Sequence, residues 1–215
     1  MQLLHIVRLF FILIITSSLV MSCKDDDPSV LIPQVTYTEN DLSAELFRAG
    51  SSGAPAINWN GDQGVLSLNT TIAGLSINAF TGVISWTDAL PIGVHEFEVI
   101  ATNLAGQVPI NMTISNPLLG TFTGVYDESI FFEVEFSAGG NAVVRSGDPE
   151  NPDEGTGTFT YENEMVSVDY EYSSGVRLSL YGSIEHSNYS YKGNWYYGHG
   201  GTGDVGVGTF EVLYK

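Results

Sequence analysis

The 215-residue chain carries 25 acidic residues against 7 Lys and Arg, a formal charge of −18, and that balance argues against nucleic acid as a partner. Aromatic residues make up 12% of the chain and charged residues only 15%, so it has the material for a folded core and is not a disordered polyanion. The single cysteine, Cys23, rules out an internal disulfide framework.

The first 22 residues predict a secretory signal. Arg8 precedes an apolar run from Leu9 to Met21, and Ser22 leads into Cys23. The run is shorter than the roughly 20 apolar residues a transmembrane helix requires. Val20-Met21-Ser22-Cys23 resembles a bacterial lipobox, with Met21 where a small residue is usual. That resemblance implies cleavage before Cys23 and acylation of its thiol, which would also remove a reactive free cysteine. Each buried methylene of an acyl chain contributes about 0.8 kcal/mol, so several chains make a durable anchor. Residues 23–33 read as an acidic linker completed by Pro28 and Pro33. Lys24-Asp25-Asp26-Asp27 resembles the tether that directs lipoproteins to the cell surface in some Gram-negative groups. The expectation is a lipid-anchored outer-membrane protein exposed at the cell surface, with the acyl chains as its membrane contact.

The processed chain keeps roughly 190 residues, enough for one large or two small domains. Short alternating runs separated by Gly, Asn, Asp and Ser predict an all-β protein. Asp41 to Arg48 reads as a brief helical turn or a loop, and a break falls near Asn116-Pro117. Within residues 34–116, Leu75 and Ile77 alternate with polar neighbours, and Thr81-Gly82 supplies a turn before Val83 to Trp86. Phe97, Val99 and Ala101 form an inward row against Glu96 and Glu98, and Asn103 to Gly106 makes a hairpin into Val108 to Ile114. The segments Gly74 to Trp86 and Gly93 to Gly106 resemble the bacterial Ig-like, cadherin-like repeat of surface and adhesion proteins. This resemblance implies a β-sandwich of two packed sheets. Members of that family are associated with calcium at domain junctions. Here Asn103 stands where an acid is usual, so calcium is weakly supported.

Residues 117–215 predict eight antiparallel strands near 120–126, 129–136, 141–146, 156–162, 165–172, 176–185, 189–197 and 206–214. Phe132, Val134 and Phe136 oppose Glu133 and Glu135, and Val166, Val168, Tyr170 and Tyr172 oppose Ser167, Asp169 and Glu171. Tyr189, Tyr191, Gly193, Trp195 and Tyr197 oppose Ser190, Lys192 and Asn194. A meander with one apolar face is expected to close into a barrel, which removes both edges. Gly-Thr-Phe recurs at residues 120, 157 and 208, a pattern similar to lipocalin-like and avidin-like small barrels. The resemblance implies that the glycines ease strand bending and an aromatic fills the base.

Tyr181, Tyr189, Tyr191, Trp195, Tyr196 and Tyr197 are the candidate ligand-binding set, because aromatic faces suit sugars and lipids. By parity, the row containing Trp195 reads as barrel core, whereas Tyr181 and Tyr196 read as outward. Asp148, Glu150, Asp153 and Glu154 crowd one loop that could collect a divalent cation, although two prolines and the spacing favour a solvated acidic loop. His95, His186 and His199 have no zinc-ligand spacing, and the glycine-rich stretch from His199 to Asp204 lacks the lysine and helix of a phosphate loop. No serine sits in a nucleophile elbow, so the chain is not expected to be an enzyme. The leading expectation is a binding or adhesion module, with the sandwich as spacer and the barrel as recogniser of a surface protein, glycan or small ligand. The alternative is a carrier that holds an apolar or glycan-derived molecule inside the barrel.

Overall fold

The computed structural model describes residues 31–203 and 206–215. The signal, Cys23 and linker residues 23–30 lie outside the described residues. The described chain is all-β. Its first nine strands are β1 (Gln34–Thr36), β2 (Asp41–Ser43), β3 (Gly50–Ser51), β4 (Ala56–Asn58), β5 (Val65–Leu68), β6 (Leu75–Ile77), β7 (Ile84–Trp86), β8 (Gly93–Asn103) and β9 (Gly106–Asn116). They form sandwich-like sheets with strand orders β2-β9-β8-β5 and β3-β7-β6, plus the pair β1-β4. Inward residues of both main sheets meet in one core that includes Leu42, Leu66, Ile84, Trp86, Phe97, Val99, Ala101 and Ile114. Tyr37 reaches across and donates its hydroxyl to the Gly82 carbonyl at 2.6 Å. Burial pushes that hydroxyl up to about 12. Gly82 takes the positive φ (72°) expected of the Thr81-Gly82 turn, which Asn78 closes by accepting from the Phe80 and Thr81 amides.

Of Asp41 to Arg48, expected as a brief helical turn or a loop, residues 44–48 are a loop with a turn closed by the Arg48 amide on the Glu45 carbonyl at 3.1 Å, but the first three residues differ. Asp41 to Ser43 is a strand, β2, paired in parallel with Thr113 to Ser115 of β9. Its partner lies 72 residues away, so no local periodicity announces it.

Eight further strands follow: β10 (Gly120–Tyr126), β11 (Ile130–Ser137), β12 (Asn141–Gly147), β13 (Asp153–Glu162), β14 (Met165–Tyr172), β15 (Arg177–Glu185), β16 (Ser190–Tyr197) and β17 (Gly208–Tyr214). Each pairs with the next, and β10 also pairs with β17, closing the barrel. The interior is packed. Phe122, Phe136, Tyr191, Phe210 and Phe132 touch in sequence with ring centroids 4.7–5.9 Å apart, and Tyr191 is fully buried. The Gly-Thr-Phe recurrence follows from the wall geometry. Phe122 and Phe210 are buried in the barrel core, and Phe159 packs against it. The glycine two residues earlier stands where a side chain would clash. A Cβ on Gly208 would lie 2.0 Å from Asp127 Oδ1 and 2.4 Å from Trp195 Nε1.

Because the barrel is a meander, alternate connections share an end. The ends near Gly120, Ser137, Glu185 and Tyr214 abut the sandwich. Leu46, Ile92 and Leu118 join the barrel core there, and Phe47 packs on Phe122, Tyr189, His186 and Tyr214. The other end, where β10, β12, β14 and β16 finish, faces away from the sandwich. Residue 31 sits at the opposite extreme, since the Asn103 side-chain amide at the β8–β9 hairpin tip donates to the Leu31 carbonyl at 2.7 Å. The eleven residues of β8, roughly 35 Å at the usual strand rise, separate that tip from the barrel end of the sandwich.

Candidate functional site

The far mouth of the barrel is an aromatic cup of about 270 Å³, lined by Tyr126, Phe132, Ser146, Asp153, Tyr170, Tyr172, Val176, Leu178, Trp195 and Tyr197. Phe132 and Tyr170 are buried and form its floor, while Tyr197, 73% exposed, stands at the rim. The rings brace one another edge to face. Tyr126 and Trp195 lie 6.2 Å apart, Trp195 and Tyr197 5.3 Å, and Tyr170 and Tyr172 5.4 Å. Trp195 Nε1 donates to Asp127 Oδ1 at 3.1 Å, and Tyr172 and Ser146 share a hydrogen bond of 2.6 Å. These bonds lock two walls of the cup.

Electrostatically the cup is acidic. Asp153 lines it, and none of its lining residues is Lys, Arg or His. Burial raises the Tyr126 hydroxyl above its ordinary value, and Tyr172, Asp127 and Asp153 raise it further. Burial, reinforced by Tyr172, pushes Tyr170 far above the ordinary phenol range. Both rings therefore remain neutral through ordinary pH.

The six candidate aromatics do not gather at one site. Trp195 and Tyr197 belong to the cup. Tyr191 is interior core, its hydroxyl donating to the Val166 carbonyl at 3.2 Å. Two members depart from the inward-row expectation. Tyr197 is too near the strand end to be covered. Tyr189 precedes β16 in a turn at φ 55°, and its hydroxyl donates to Asp88 of the sandwich. Tyr196 faces outward and donates to the Gly203 carbonyl, pinning the glycine-rich loop. Tyr181 lines an outer groove of about 530 Å³ with Lys192, Asn194, Thr209 and Glu211. Tyr126, Tyr170 and Tyr172 were outside the candidate set. For Tyr126 and Tyr172 the signal is strand-end position in a meander, since each ends a strand at the same mouth as Tyr197, whereas Tyr170 lies two residues inside β14.

The four loop acids diverge. Asp153 enters the cup, Glu154 accepts from Arg145 Nε at 3.0 Å, and Asp148 accepts from the Glu150 amide at 3.0 Å. Among the described residues, no group of three His, Cys, Asp or Glu side chains is placed to hold a metal. Asn103 is engaged as an amide. Its Nδ2 donates to the Leu31 and Trp59 carbonyls, and its Oδ1 accepts from the Ala105 and Gly106 amides. An aspartate would lose both donations. His95, His186 and His199 each bond a backbone carbonyl, those of Pro91, Asp88 and Tyr170. Compared with known protein families and with curated proteins, the chain matches no family model and no curated sequence.

Proposed function

We propose that this is an exported, lipid-anchored cell-surface protein that binds a ligand without catalysis at the free mouth of its barrel. Residues 34–116, in the Ig-like, cadherin-like reading, serve as the spacer, and residues 117–215, in the lipocalin-like reading, as the recogniser. The observation that carries this proposal is the position of the aromatic cup, at the barrel end farthest from residue 31, the first described residue after Cys23 in sequence. The packed column through Phe122, Phe136, Tyr191 and Phe210 supports recognition at the mouth over carriage in a deep interior.

Two measurements test this. Mass spectrometry of the membrane fraction is expected to find acyl chains on a chain beginning at Cys23, and Cys23→Ser is expected to release the protein from the membrane. A fluorescence screen of the protein against panels of glycans and small molecules is expected to yield a ligand whose affinity drops about tenfold in Tyr197→Ala, in line with loss of a contact aromatic. Ligands indifferent to Tyr197 and Trp195 would contradict the mouth as the binding face.

A further inference from the structure

The chemistry of the cup narrows its ligand. Six of its ten lining residues are aromatic, and two of its polar groups are already engaged, Trp195 Nε1 with Asp127 and Tyr172 with Ser146. An anion would meet Asp153 and Asp127 with no cation among the lining residues to offset them. Arg177, at the start of β15, is paired with Glu171 at 2.7 Å. Aromatic faces carry negative quadrupoles that attract cations, most strongly for Trp and Tyr. At about 270 Å³ the space is slightly below the usual ligand-pocket range of about 300–1,000 Å³. It suits a compact head group.

We infer that the cup binds a small free organic cation, an alkylated ammonium group enclosed by Tyr126, Tyr172, Trp195 and Tyr197 with Asp153 as its counter-charge. This assignment rests on the mouth being the binding face and adds the class of ligand. Burial and the neighbouring Tyr172 raise the Tyr126 hydroxyl most, and Asp127 and Asp153 add to it, which places both carboxylates near that ring.

The test is calorimetric titration of the full chain with choline, with its neutral carbon isostere 3,3-dimethylbutanol, and with phosphocholine. Choline is expected to bind about fivefold or more tightly than the isostere, as a cation–π contribution implies. Phosphocholine is expected to bind more weakly than choline, because its phosphate brings negative charge to a mouth whose lining holds Asp153 and no cation. Asp153→Asn, at an exposed position, is expected to weaken choline severalfold while leaving the isostere unchanged. Equal affinity for choline and isostere, or no choline binding, overturns the cation assignment. Tighter binding of phosphocholine overturns the free cation in favour of a lipid head group. None of these failures touches the mouth itself, whose standing is decided by the Tyr197→Ala comparison in the ligand screen.

Discussion

Glu133 shows how a single residue can escape its sequence pattern. Parity places it outward on β11 beside Glu135, and it is outward, yet it is only 8% exposed. Arg145 Nη1 donates to it at 2.9 Å, Lys215 Nζ at 2.6 Å and Thr123 Oγ1 at 3.0 Å. Burial alone would raise this carboxyl, but the bonds from Lys215, Thr123 and Arg145 outweigh it and hold the carboxyl below its ordinary value. The folded value is thus lower than the unfolded one. Its stabilisation is present above the ordinary carboxylate range and is lost as pH falls through the lowered value. Urea denaturation at stepped pH is expected to show that loss, with Glu133→Gln flattening the acid limb and costing about 2 kcal/mol at neutral pH. An unchanged acid limb in the variant would assign the linkage to another group. The outward position of Glu133 was legible from alternation. Its cover was not, because it depends on the registers that align β17, β10, β11 and β12.

At the level of elements, the barrel strands were the most legible part of the chain, since period-two patterning and glycine-marked turns act over a few residues. What makes them close is a set of glycine contacts. Gly182 faces Gly193 across β15 and β16. A Cβ on Gly193 would lie 2.1 Å from the Tyr181 carbonyl oxygen, and one on Gly182 would lie 2.1 Å from that of Lys192. Gly193→Ala must therefore part the strands, with an expected loss of about 3 kcal/mol in urea denaturation. Gly53→Ala, where a Cβ meets nothing within 4 Å, serves as a control and is expected to stay within about 0.5 kcal/mol. The turn between β13 and β14 carries a reserve of the opposite sign. Asn163 and Glu164 both have positive φ, 52° and 67°, the geometry of a tight hairpin that favours Asn-Gly. Glu164→Gly is expected to raise the urea midpoint, by about 0.5–1 kcal/mol in stability. The elements that sequence patterning missed lack such local signals. β2 pairs with a distant strand, and Tyr189 turns out of its row because Asp88 of the sandwich holds its hydroxyl.

Across the whole molecule, the two β regions are joined by side chains as well as by the chain. Phe47, at φ 57°, leaves the sandwich to cap the barrel and makes ring contacts with Phe122, Tyr189, His186 and Tyr214. Phe47→Ala is expected to cost about 2–3 kcal/mol, less than a fully buried Phe because the ring is only partly covered. Barrel residues next to the cap, including Tyr214, should gain hydrogen exchange at their amides. That closed end leaves the far mouth as the open face, and there Asp153 of the acidic loop and the strand-end tyrosines meet. None of these features was decisive when weighed alone along the sequence. Only closure of the barrel puts Tyr126, Asp153, Tyr172 and Trp195 around one space. The most direct measurement of the central claim is an amide chemical-shift map of the full chain during choline titration. The expected result is a cluster of shifts at Tyr126, Asp153, Tyr172, Trp195 and Tyr197, with the sandwich silent. Shifts centred on the outer groove at Tyr181 and Lys192, or on no one place, would contradict recognition at the barrel mouth.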